Sequence, residues 1–465
     1  MFAKSRFALL IGVVLALLIS MPIFAQWSGT WVSSFQVMNL GDQKANVSVV
    51  YYKEDGAVAG NATYDYQVEP KSSVNIYQPN VPNLPGGFKG SAVISADQPI
   101  AAIGSEQVTY ADNRIGNSQY SGVGAAELGK KFYLPNINKR FGGSQWSSRI
   151  TIQNATTSNA AGTVTYYNAN GTLANTQSVN LQPRGSVTLV QLDNASLPNG
   201  WLGSAVVDMD QDVAVVADVM SADGRVETYN GFSSGATSMF LPTLLINFGA
   251  NAWNTSFQVL NISDASATVT MKYYTPGSAT PAKTVTETIA KFNSINRYQP
   301  NVDADLVTGG SWIGSVVIES TQPIVAVGSQ SSAAPGKQLA SIYNGAARGA
   351  LEGYLPTILK NFGGSNFITS FQVMNVGSAA ASVRVEYYTT GQTSPIKTVL
   401  YDGVQNPKIE RFNSVNRYQG NDAELPASWQ GSVKVTSDQP IVLLGSQNGL
   451  ARTGDAAGQY NGILP

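Results

Sequence analysis

The chain has 465 residues, of which only 12% are charged against about 25% in ordinary soluble proteins, and its formal net charge is −1. Without a concentrated basic face, electrostatic capture of nucleic acid is excluded. There is no Cys and no His, which excludes disulfides, thiolate metal sites, cysteine nucleophiles and histidine acid–base chemistry.

Residues 1–25 read MFAKSRFALLIGVVLALLISMPIFA: two positive charges, an apolar run, then a small residue, Ala25, before Gln26. That is the three-part pattern of a secretory signal peptide cut after Ala25. The apolar run is shorter than the roughly 20 residues of a membrane span, with an uncleaved anchor as the alternative. The expectation is an extracellular or cell-surface protein that meets a membrane only through its leader, if the leader is kept.

Beyond the leader the chain repeats itself. WVSSFQVMN begins at Trp31; longer versions with a Leu-Pro lead-in follow at 133 (YLPNINKRFGGSQWSSRITIQN), 240 (FLPTLLINFGANAWNTSFQVLN) and 354 (YLPTILKNFGGSNFITSFQVMN). A period of about 110 residues is a normal domain size. It divides the mature chain into units 26–130, 131–238, 239–352 and 353–465.

In each unit the opening strand alternates. Phe35 and Val37, Ile150 and Ile152, Phe257 and Val259, and Phe371 and Val373 face one side, and polar residues face the other. That is the period of two expected for one buried and one wet face. The next strand ends in a Tyr pair at 51–52, 166–167, 273–274 and 387–388. Its first Tyr points inward by the same alternation, with its hydroxyl partnered at the core's rim. The second Tyr (Tyr52, Tyr167, Tyr274, Tyr388) points outward and is a candidate exposed adhesive stripe.

A further strand leads into NIYQPN at Asn75, NRYQPN at Asn296 and NRYQGN at Asn416. Then an aromatic precedes x-Gly-Ser: Phe88, Trp201, Trp312 and Trp429. Four such rings are either core plugs or platforms for stacking on sugar rings. Apolar strands follow a Gln-Pro turn, and units close on Tyr120-Ser121-Gly122 or on Tyr-Asn-Gly at 229, 343 and 460.

Seven or eight short strands per unit, with turns every 8–12 residues, predict an all-β chain of four antiparallel, immunoglobulin-like sandwiches. The junctions carry apolar Leu-Pro segments rather than flexible linkers. They predict stiff contacts and an elongated array, on the order of 100–150 Å from strand length.

Asp208, Asp210 and Asp212 form Asp-x-Asp-x-Asp in the second unit only. This is a candidate weak calcium site, weighed against a solvated acidic turn. No other cofactor is implied. The combined motifs resemble the tandem β-sandwich repeats of uncharacterised bacterial cell-surface and secreted proteins, over essentially the whole mature chain. The resemblance implies an extracellular array with no catalytic residues to transfer.

The expected function is a non-enzymatic spacer, adhesin or filament or matrix subunit. Its partners would be cell-surface or extracellular polymers or proteins, or other copies joined head to tail. A polysaccharide-binding array using surface aromatics is the alternative, and a carboxylate-dependent glycoside hydrolase ranks below both.

Overall fold

The computed structural model describes residues 29–334, 336–451 and 453–465, together with the backbone of Leu15–Ile19. The rest of the leader, with the junction after Ala25, lies outside the described residues. The protein is built almost wholly of antiparallel β-strands in repeated two-layer units.

The second unit shows the plan. Its lead-in strand Gly129–Lys139 is followed by Ser147–Asn154, Ala160–Asn168, Leu173–Leu181, Ser186–Val190, the 20-residue Trp201–Met220 and the closing strand Val226–Asn230. The first half of the long strand pairs with the lead-in and the Tyr-pair strand. Its second half pairs with Ser147–Asn154 and the closing strand. One strand thus serves both layers, unlike the separate strands of the immunoglobulin pattern.

The third and fourth units repeat this through Trp312–Ser332 and Trp429–Gly449. In the first, the Asp97-Gln98-Pro99 turn splits the long strand into Gly90–Ala96 and Ile100–Thr109. The alternation fills the cores as expected: Phe35, Val37, Ile150, Ile152, Phe257, Val259, Phe371 and Val373 are all 0–2% exposed.

The expected elongated array is corrected by how the units pack. Each sends an apolar side chain from its long strand, at one equivalent position, into the core of the preceding unit, and the second unit adds Ala214. Val216 of the second reaches the first, Val327 of the third reaches the second, and Leu444 of the fourth reaches the third. Ile103, the equivalent residue of the first unit, enters the core of the fourth. The chain therefore closes into a ring of four, because every unit offers the same acceptor and the same donor and the geometry uses all of them.

The closing strands line the middle of the ring. Ser121 Oγ donates to the Asn461 carbonyl (2.9 Å), Asn461 Nδ2 to the Asn344 carbonyl, Asn344 Nδ2 to the Asn230 carbonyl, and Asn230 Nδ2 back to the Ser121 carbonyl, the last three at 2.7 Å. A carboxamide suits this, since its N–H can reach the neighbour's carbonyl while its oxygen accepts a backbone N–H. Asn461 Oδ1 does so from Asn344 N at 2.9 Å.

Elsewhere among the closing strands, Asp455 of the fourth unit bridges the other three. Its carboxylate accepts the N–H of Val226 and of Ala340, and its backbone pairs with Gly116.

Candidate functional site

The aromatic before Gly-Ser is not a surface platform. Trp201, Trp312 and Trp429 are 6%, 5% and 3% exposed, and Phe88 is half-buried. Their rings pack edge-on or tilted against the inward Tyr of the pair, with centroids 6.4, 6.4, 6.3 and 5.7 Å from Tyr166, Tyr273, Tyr387 and Tyr51. Each indole N–H is satisfied inside its unit, by Asn168, Thr275 and Thr389 respectively. The glycine two residues on is required by this packing. A Cβ on Gly203, Gly314 or Gly431 would fall 2.1–2.4 Å from the carbonyl oxygen of Tyr167, Tyr274 or Tyr388, and as close to the Trp ring.

The outward Tyr residues are not a free stripe either, because they lie at the seams between units. Tyr167 stacks on Phe292 of the third unit, with centroids 4.9 Å apart, and Tyr274 packs on Phe412 of the fourth at 5.3 Å. Tyr274 and Tyr388 are buried, whereas Tyr52 and Tyr167 are half-buried. The serine of Gly-Ser works at the same seams: Ser315 donates to the Phe412 carbonyl and Ser432 to the Lys71 carbonyl.

Asp208, Asp210 and Asp212 lie on one exposed face of the long strand, as residues two apart do, but they form no group able to hold a metal ion. Asp208 pairs with Lys131, and the Asp210 carboxylate accepts the Ala161 N–H. No group of three acidic side chains able to hold a metal ion occurs among the described residues. All three stand within the strand Trp201–Met220 rather than in the turn expected for them.

Two features escaped sequence reasoning. The first is a buried charge cluster between the first and second units. Arg149, 0% exposed, meets Asp218 at 2.5 Å and Glu106 at 3.1 Å, with its guanidinium 4.6 Å from the centre of the Trp31 ring. The other units hold Ser34, Ser256 and Ser370 where Arg149 stands, and Ser105, Ser329 and Ser446 where Asp218 stands. That paired departure from the repeat was a usable signal.

The second is the aromatic of NIYQPN and its copies. Tyr77, Tyr298 and Tyr418 are 42%, 38% and 41% exposed. They hold one equivalent position in three units. Tyr77 stands at a cleft of about 300 Å³ between the first and fourth units. Its walls include Gln36, Asn75 and Gln107 on one side, and Phe362, Phe367 and Gln430 on the other. Gln430 Nε2 donates to Gln36 Oε1 across the seam at 3.2 Å, and Gln119 Nε2 to Gln447 Oε1 at 3.0 Å. The cleft thus combines aromatic rings and amides with one carboxylate, Glu106, which is paired with Arg149, a lining suited to hydroxyl-bearing groups.

No family model and no curated protein matches the chain. Among solved structures, a Thermotoga maritima protein titled "Thermotoga maritima 1070" aligns at 17% identity over 24% of this chain and 94% of its own, with a TM-score of 0.21. The Anabaena sensory rhodopsin transducer aligns at 18% identity over 20% and 92%, with a TM-score of 0.17. A tetra-tandem repeat from the extending region of a large adhesion protein spans 97% of this chain and 99% of its own, at 12% identity and a TM-score of 0.11. At such scores none of these likenesses carries a function across.

Proposed function

We propose that the protein is an exported, non-enzymatic adhesive module that holds a neutral extracellular polymer, of the polysaccharide class, at several equivalent points of one ring. The observation that carries this reading is the recurrence of an exposed ring at Tyr77, Tyr298 and Tyr418, one per unit in three units. A single exposed aromatic needs no explanation, but the same ring presented repeatedly on one rigid body multiplies weak contacts. Linked weak sites raise avidity by roughly 10²–10⁴ without any new contact. The long-spacer form of the reading is set aside, because a closed ring gives little reach.

The test is binding of the purified chain to insoluble polysaccharides and to a glycan array, beside the triple variant Tyr77→Ala, Tyr298→Ala, Tyr418→Ala. Apparent affinity is expected to fall by about 10²–10⁴ in the triple variant and by less in each single one, with the melting temperature unchanged. Equal binding by the triple variant and the parent would sink the proposal.

A further inference from the structure

Three seams of the ring contain a lead-in strand lying between its own unit's core and the next unit. These are Gly129–Lys139, Ala236–Ile246 and Ala350–Lys360. Their residues 134, 137, 241, 244–246, 355, 358 and 359 are 0–6% exposed, with no wet side. A strand covered on both faces reads as a continuous apolar run rather than an alternating one.

The register is the same each time. Leu134 pairs with Ala205, Leu241 with Val316 and Leu355 with Val433, each pairing with the residue just after Gly-Ser. One residue earlier, Tyr133, Phe240 and Tyr354 also bridge to Phe232, Ala346 and Ile463, which follow the closing Gly.

The seam between the first and second units has no Leu-Pro segment of its own. The backbone of Leu15–Ile19 takes that place in the matching register. Leu17 pairs with Ala92, the residue after Gly90-Ser91, and Ala16 pairs both with Val93 and with Val123, which follows Gly122. On its other side Gly90–Ala96 is already paired with Ala45–Lys53.

We infer that the first unit holds an acceptor slot for one extended apolar strand, that Leu15–Ile19 is its occupant, and that removal of the leader opens the slot. The run LALLI thus meets two demands: it has the hydropathy of an export signal and that of a strand buried on both faces. Without it, the N–H and C=O groups along one edge of Gly90–Ala96 lose their partners in an apolar seam, where an unpaired backbone group is costly. This inference does not depend on the polymer-binding reading, because its readouts involve no polymer.

The experiment compares the full chain, produced without export, with a variant starting at Gln26. Amide hydrogen exchange is read at Gly90–Ala96, with and without a synthetic peptide of residues 11–22 or of residues 238–247. The expected result is exchange at least tenfold faster in the truncated chain, with a lower melting temperature. Either peptide restores both at one peptide per chain, and a scrambled peptide does not. If the truncated chain does not fold alone, refolding it with the peptides should recover the ring, and failure of both peptides overturns the inference. A full-length double variant, Ala16→Pro and Leu18→Pro, which cannot supply the strand's N–H groups, should mimic the truncation. Unchanged protection at Gly90–Ala96 in that variant would refute the slot outright.

Discussion

Arg149 illustrates how one residue can be decisive in a near-neutral protein. Its charge is fully buried, and only the attraction of Asp218 and Glu106 offsets the burial that would otherwise push its proton off. Replacing one member of a buried ion cluster leaves the others without compensation, at about 3–5 kcal/mol. Arg149→Met should therefore destabilise the chain by that amount in urea denaturation. The triple variant Arg149→Met, Asp218→Ser, Glu106→Gln, which approaches the uncharged state of the other seams, should recover most of the loss. An equal loss in both would show that the charges are not acting as a group.

At the scale of the element, the strand that begins at the aromatic and runs through Gly-Ser explains itself by packing. A ring placed over a glycine fills the corner where the strand enters the core, and in the third and fourth units the following serine reaches the neighbouring unit. Trp312→Ala removes a buried indole and its bond to Thr275, and is expected to cost about 3–5 kcal/mol, as large-to-small core changes do. Were Trp312 an exposed platform, the cost would stay within about 0.5 kcal/mol. Chemical denaturation of the single variant separates the two.

At the scale of the whole molecule, closure of the ring buries groups that a string of separate units would leave in water. Glu227 of the second unit accepts a hydrogen bond from Ser329 of the third, and burial pushes its pKa up to about 7. Burial also holds the Asp455 carboxyl well above the usual carboxylate range, against the three backbone N–H groups that favour its charge. Arg225 pulls Glu227 the other way, more weakly. A carboxyl whose folded pKa exceeds its unfolded value binds more protons when folded, so stability falls as pH rises through that interval. For Glu227 the interval runs from about 4.3 in the unfolded chain to about 7 in the ring. The melting temperature should decline from pH 5 to pH 8, and Glu227→Gln should flatten part of that slope; a parallel profile in the variant would refute the assignment.

The repeat, the strand periodicity, the inward Phe, Val, Ile and Tyr positions and the turns were legible in the sequence, because each depends on residues a few places apart. Which polar-looking faces would become dry was not. Gln36, Arg149, Gln258 and Gln372 sit where alternation predicts a wet face, yet they are 0–6% exposed because the adjoining unit covers them. The Asn of Tyr-Asn-Gly was visible as a motif, but its role needs a carbonyl from another copy, as when Asn344 reaches Asn230 across 114 residues.

The chain by itself determined four like-built sandwiches, since alternation and turn chemistry are local and each copy carries them complete. Only the tertiary structure decided that the copies curl back until the first meets the last. That contact joins Ser121 to Asn461, 340 residues apart. A handful of side chains per seam, spread over hundreds of residues, leave no local period from which the ring could have been read.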